Sequence, residues 1–178
     1  MTFDRRALFA VPALAAFSAP MLIAPEAEAV AAQARPARGG LCAPNEVVIF
    51  ECGVGRKIVS VCGSRTPAPR AQYRFGRPGN VELSYPNRSE GGLSWARAMY
   101  SGGGELQIRF RNGGLDYAVY SRTVRTGFGA DGRNNPQFSD GVMVMRGNRL
   151  ISDRACTTQV RRDGQPENFM PEGTILAQ

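Results

Sequence analysis

The chain of 178 residues has no histidine, one lysine (Lys57) and one tryptophan (Trp95). Without histidine there is no Ser-His-Asp or Cys-His nucleophile, no imidazole general base and no ordinary imidazole-bearing zinc or copper site. A phosphate loop is missing too, because Gly102-Gly103-Gly104 leads into an alternating strand pattern and not into Gly-Lys-Ser/Thr and a helix. Asp131, Asn134, Asn135 and Asp140 lack the spacing of a calcium loop. No cofactor and no metal are therefore expected, and the chain does not read as an enzyme. A carboxylate pair is the remaining route to hydrolysis. Glu105 and Asp116 fall close together on one hairpin, but a salt-bridged ladder with Arg109 accounts for them more simply.

What is present begins with an address. Arg5-Arg6, an apolar run from Ala7 to Ala24 broken by Pro12 and Pro20, and the small-x-small triplet Ala27-Glu28-Ala29 predict an export signal peptide over 1–29. The paired arginines fit the twin-arginine route and the general secretory route alike. Two prolines in a run of borderline length argue against a retained membrane span, so no integral membrane protein is expected once the signal is removed. Taking Asp4, Arg5, Arg6, Glu26 and Glu28 from 22 basic and 15 acidic side chains leaves 20 and 12, a net charge of +8. The expected location is periplasmic or secreted. Residues 30–40 read as a flexible leader, 41–156 as one β domain and 157–178 as a poorly ordered tail.

The four cysteines, Cys42, Cys52, Cys62 and Cys156, suit an oxidising compartment and predict two disulfides. Three connectivities are open. Cys52 and Cys62 fall at opposite ends of a predicted hairpin, too far apart to bond each other, and a bond from Cys156 back to that first hairpin is the preferred pairing. Such a bond closes a loop of about 100 residues.

Period-2 runs joined by turn residues dominate the domain. Residues 47–52 and 57–62 form one pair, 72–75 and 81–85 a second, and 142–145 with 149–152 the last, turning at Gly147-Asn148. The central pair, 105–111 and 115–120, turns at Asn112-Gly113-Gly114. With Asn112-Gly113 at the turn, Phe110 faces Leu115 and Arg109 faces Asp116; with Gly113-Gly114, Phe110 faces Tyr117 and Arg111 faces Asp116. Both registers put Leu106, Ile108, Phe110, Tyr117 and Val119 on one side. Residues 93–100 fit a strand or a short helix, and 126–140 reads as a long irregular connection. The expected fold is all-β: about eight antiparallel strands in sequential hairpins, closed as a small barrel or, alternatively, folded as a sandwich.

Outward-facing arginines alternating with a tyrosine mark a candidate binding surface: Arg109, Arg111, Tyr120 and Arg122 on the central hairpin, with Arg125 and Arg133 on the loop that follows. The partner expected for it is an unknown protein, or an anionic envelope polymer or lipid headgroup. Nucleic acid is not expected.

Gly55-Arg56-Lys57-Ile58-Val59-Ser60-Val61-Cys62, Tyr73-Arg74-Phe75-Gly76, Tyr100-Ser101-Gly102-Gly103-Gly104 and Ile108-Arg109-Phe110-Arg111-Asn112-Gly113 resemble segments of a group of small exported proteobacterial proteins of uncharacterised function. The resemblance implies membership of that group and no activity. In layout the chain is more loosely similar to the periplasmic and membrane-bound inhibitors of C-type lysozyme, small exported antiparallel barrels with a disulfide between early and late strands. That likeness implies an inhibitor role carried by a Ser-Gly segment and a lysine. Here Tyr100 precedes Ser101-Gly102, where the inhibitors have a tyrosine after the pair, and Lys57 is remote in sequence. C-type lysozymes are themselves basic, so a chain of +8 would be repelled at long range. The combined reading is a non-catalytic binding or inhibitor module.

Overall fold

A computed structural model describes residues 39–87 and 91–176. The expected signal peptide and residues 30–38 of the expected leader lie outside the described residues. Nine strands follow in order: β1 Val47–Val54, β2 Lys57–Ser64, β3 Arg70–Arg77, β4 Asn80–Tyr85, β5 Ser94–Tyr100, β6 Gly103–Asn112, β7 Leu115–Phe128, β8 Asn134–Arg146 and β9 Arg149–Ala155. They make two sheets, β1-β2-β3-β4 and β5-β6-β7-β8-β9, in which every neighbour is the next strand in sequence and every pair is antiparallel. The all-β expectation holds. Among the described residues there is no closed barrel, and the two sheets correspond to the sandwich alternative.

Strand alternation explains how the sheets meet. Val59, Val61 and Tyr73 point from the first sheet into one shared core with Ile108, Phe110, Val119 and Val142 of the second. Phe110 is the hub of that core. Its ring lies 4.7 Å from Tyr117, 4.6 Å from Tyr85 and 4.8 Å from Tyr73, so one side chain touches aromatics of both sheets. Each such pair adds about 0.5–1.5 kcal/mol beyond the area it buries.

The central turn uses Gly113-Gly114, with φ of 58° and 74°. Two successive left-handed residues define a type I′ turn, and glycine adopts that conformation at the least cost. Phe110 therefore faces Tyr117, Arg111 faces Asp116 and Arg109 faces Ala118. The Asn112-Gly113 register would have paired Phe110 with Leu115 and forfeited the ring stack. Of residues 93–100, Ser94–Tyr100 resolve as strand β5.

Two expectations are corrected. Residues 126–140 are not an irregular connection: β7 and β8 stay paired out to Phe128 and Asn134, with a break in register after Arg125, and form a long hairpin arm. Residues 157–176 are not a loose tail. They run along the free edge of β1, where Glu51 and Arg161 exchange backbone hydrogen bonds of 3.0 and 2.9 Å, and pass through a 3₁₀ turn at Pro166–Asn168. Phe169 and Met170 then enter the shared core, and the chain reaches the edge of β5 at Trp95. Backbone pairing and two buried apolar side chains offset the entropy of ordering this segment.

The disulfides are Cys42–Cys62 and Cys52–Cys156, so Cys156 does return to the first hairpin. Their sequence separations are 20 and 104 residues. In the chain-entropy model these closures stabilise by about 3.3 and 4.7 kcal/mol. Urea unfolding of paired Cys→Ser variants is expected to show the Cys52–Cys156 deletion as the more destabilising, by about 1.5 kcal/mol.

Candidate functional site

The face of the five-stranded sheet turned away from the core carries Glu105, Gln107 and Arg109 on β6 and Ala118, Tyr120 and Arg122 on β7. Glu105 is 7% exposed, yet four hydrogen bonds surround its carboxylate. Arg122 donates through Nε (2.9 Å) and Nη2 (3.2 Å), Tyr100 through its hydroxyl (2.9 Å) and Gln107 through Nε2 (2.8 Å). Burial raises the carboxyl pKa, but these donors, Arg122 foremost, outweigh it and hold Glu105 below its ordinary value. Arg122 is correspondingly raised by the bond to Glu105. Its guanidinium also lies 5.3 Å from the Tyr120 ring centroid. Tyr120 donates its hydroxyl to Asp153 (3.0 Å) and is pushed up to about 12 by burial and by that carboxylate. Gly141 makes room for it: a Cβ there would come within 2.7 Å of the Tyr120 hydroxyl oxygen.

The six sequence-predicted residues are thus not one surface. Arg109, Tyr120 and Arg122 share a face but are engaged within the molecule, Arg109 through bonds from Nη1 to the Thr174 carbonyl and hydroxyl. Arg111 is exposed near the Gly113-Gly114 turn. Arg125 and Arg133 are at the opposite end, on the β7–β8 arm.

That arm carries what the sequence reading missed. Among the described residues eight large hydrophobic side chains are exposed, and five belong to this end of the sheet: Met99 (76%), Tyr100, Val124, Phe128 (67%) and Phe138 (69%). Register puts Met99 and Phe138 on the core-facing side of the sheet and Tyr100 and Val124 on the opposite face. Met99, Gly104, Thr123 and Phe138 stand in one cross-strand row, on the side that further along carries Ile108 and Phe110. The core-facing side of the sheet therefore continues past the core and remains exposed. Arg125 lies 5.7 Å from the Phe128 ring centroid. It ties the arm to the β5–β6 turn by donating its backbone N–H to Gly102 O (2.6 Å) and Nη2 to Ser101 O (2.7 Å). Arg133 is exposed and forms a loose ion pair with Asp131 at 3.7 Å. The period-2 pattern was lost because both faces of the arm are wet, so nothing selects for alternation; Phe128 and Phe138 were the available signal.

On the outer face of the first sheet a polar cavity of about 440 Å³ is lined by Glu46, Cys62, Ser64, Arg70, Gln72 and Arg74. Two of its three charged side chains are paired, since Arg74 grips Glu46 through two bonds of 2.6 and 2.7 Å, and Arg70 donates to the Thr66 carbonyl at 3.0 Å. Cys42, Glu46 and Cys62 group tightly enough to suggest a cation site, but the two sulfurs are bonded to each other and are not thiolates. Lys57 is on β2, paired with Glu82 at 2.6 Å, whereas Ser101-Gly102 turns between two strands of the other sheet. The serine and lysine invoked by the lysozyme-inhibitor likeness are thus on separate sheets.

The described fold and site define a disulfide-tied antiparallel sandwich with one projecting apolar end. Comparison with protein-family models, curated proteins and solved structures finds no match to this chain. Among the described residues no helix is long and apolar enough to cross a membrane.

Because the Glu105 pKa is depressed, its contribution to stability is present above the ordinary value of 4.5 and is lost as pH falls through the folded-state value. Urea unfolding from neutral pH down to about pH 3 is expected to show a shallower acid-side loss of stability in Glu105→Gln than in the wild type. At neutral pH the same substitution is expected to cost about 2–3 kcal/mol, less than for a fully buried pair because Arg122 is partly solvated.

Proposed function

We propose that this chain is an exported, non-catalytic binding module that presents the projecting end of its five-stranded sheet to a partner. The observation that carries this reading is the gathering of Met99, Tyr100, Val124, Phe128 and Phe138 at one end of the molecule. Apolar side chains concentrated in this way mark contact surfaces, since isolated exposed hydrophobics are scattered on ordinary surfaces. Arg125 and Arg133 border the apolar group, and an aromatic–arginine combination is typical of contact hot spots. Two disulfides and the Arg5-Arg6 to Ala29 pattern support export to the periplasm or beyond. The absence of histidine in the sequence supports binding over catalysis.

A second reading, an anionic envelope polymer or lipid headgroup as the partner, is favoured by the +8 charge of the chain without its first 29 residues and by Arg97 and Arg125 of the same sheet, which have no carboxylate partner among the described residues. Arg125 bonds to a carbonyl and Arg97 stacks on Trp95 at 5.8 Å. The two readings differ in their salt dependence.

The test is capture from an envelope extract on immobilised protein, run beside lysozyme-inhibition assays. A protein partner retained by the wild type is expected to be lost with Phe128→Ser/Phe138→Ser, both exposed positions whose replacement leaves the core intact. Capture that survives this double substitution overturns the placement of the surface. Capture abolished by moderate salt and by Arg125→Glu/Arg133→Glu, with the phenylalanines dispensable, selects the anionic partner.

A further inference from the structure

The outward face of the five-stranded sheet, away from the projecting end, is crossed by residues 171–176 in extended form. At the edge of β5 the segment pairs as an added parallel strand: Trp95 donates its N–H to Pro171 O (3.0 Å), Gly173 donates to Trp95 O (2.7 Å), and Trp95 and Glu172 form the bridge. Past that edge side chains take over from the ladder. Arg109 Nη1 donates to the carbonyl and, at 3.2 Å, the hydroxyl of Thr174. The Gln107 amide works at both ends, donating Nε2 to Leu176 O (3.1 Å) and accepting the Leu176 N–H at Oε1 (2.7 Å). The Leu176 side chain packs on Ala118, Tyr120 and Met143.

Five of these contacts read only backbone groups. Two read side chains: the Thr174 hydroxyl and the apolar bulk of Leu176. That division is the logic of strand addition, in which main-chain bonds give affinity and a pocket gives selectivity. Gln107 has 0% exposure. A wholly buried amide is costly unless both its ends are bonded, so an apolar residue would suit a face that needed nothing but covering. A second observation concerns Arg109, whose Nε is buried without an acceptor among the described residues. The segment that lies here leaves one donor of the clamp unused.

We propose that this face is a peptide-binding cleft for an extended segment carrying a threonine or serine two residues before a branched aliphatic residue, with the chain's own 171–176 as its resident, displaceable occupant. Gln107 is the clamp for the backbone of the aliphatic residue, Arg109 fixes the hydroxyl-bearing residue, and the Ala118–Tyr120–Met143 pocket takes the aliphatic side chain. A tethered occupant competes at an effective concentration of order millimolar, so the cleft accepts a ligand in trans when the resident segment lets go. The proposal involves a different surface from the projecting end and stands independently of it.

The experiment uses the full chain carrying Leu176→Asp, which removes the resident anchor and leaves the cleft residues in place. The probe is an acetylated, amidated synthetic peptide of residues 171–176. Saturable binding is expected, at least about tenfold tighter than to the wild-type chain and weakened at least about tenfold by adding Gln107→Leu. A Leu176→Asp chain that keeps its near-UV circular dichroism and binds no peptide overturns the proposal, as does binding that Gln107→Leu leaves unchanged. Amide exchange on the wild-type chain is decisive without any variant. The Leu176 and Gly173 N–H groups are expected to exchange more slowly than in the free peptide and faster than Val119 in the core, the mark of local release. Exchange at the free-peptide rate, or only through global unfolding at the Val119 rate, overturns a displaceable occupant.

Discussion

The stack of Phe110 on Tyr117 sets the alignment on which the rest of the molecule depends. A strand slipped by one residue turns every side chain to the opposite face, and the β6–β7 pairing decides what both faces of the larger sheet present. With Phe110 against Tyr117 and between Tyr73 and Tyr85 of the other sheet, Ile108 and Val119 must point inward. Gln107, Arg109, Ala118 and Tyr120 must then point away from the core. The polar constellation on the far side is the reverse of an aromatic core, written in the same alternating residues.

Both sheets solve the same problem on their outer faces. Each has a polar side chain too buried to be satisfied by water, and each meets it with a segment from outside the strands. In the first sheet Glu51 accepts the Leu41 N–H at 3.2 Å and the Ser60 hydroxyl at 2.7 Å, while Arg74 holds Leu41 O and Glu46. In the second, Gln107 and Arg109 do the equivalent for Leu176 and Thr174. These segments give the outer faces an apolar and hydrogen-bonded cover that a two-layer sandwich does not otherwise possess, and they leave the end carrying Met99, Phe128 and Phe138 uncovered.

Much of this plan was legible in the residues, and the failures share one cause. Hairpins turning at Gly147-Asn148 or at the glycines after Asn112 are local, and local turn chemistry is written in two or three positions. Hairpin geometry excluded a Cys52–Cys62 bond and pointed Cys156 back to the first hairpin, but it did not choose between Cys52 and Cys62. What escaped was everything fixed at long range. Residues 126–140 contain Gly127, Gly129, Gly132, Asn134, Asn135 and Pro136, the residues of loops, and pairing with the neighbouring strand overrode that propensity. The segment after Cys156 looks equally unstructured, and only the apolar pair Phe169-Met170 hinted at an anchor. For the candidate surface, alternation correctly turned Arg109, Tyr120 and Arg122 outward. It had no means of showing that Thr174, Asp153 and Glu105 already engage them.

The covering segment implies an order of assembly. Each β-hairpin closes within a few residues and forms early, because little loop entropy is spent on it. The contacts that seal the molecule span far more chain: 104 residues between Cys52 and Cys156, 105 between Gly53 and Thr158, 69 between Gln107 and Leu176. Without residues 157–176 Glu51 would lack its Arg161 neighbour, Gln107 would lose its bonds to Leu176, and the edge of β1 would be free to pair with another molecule. Residues 157–176 thus shield a strand edge and an outer sheet face built from residues far earlier in the chain.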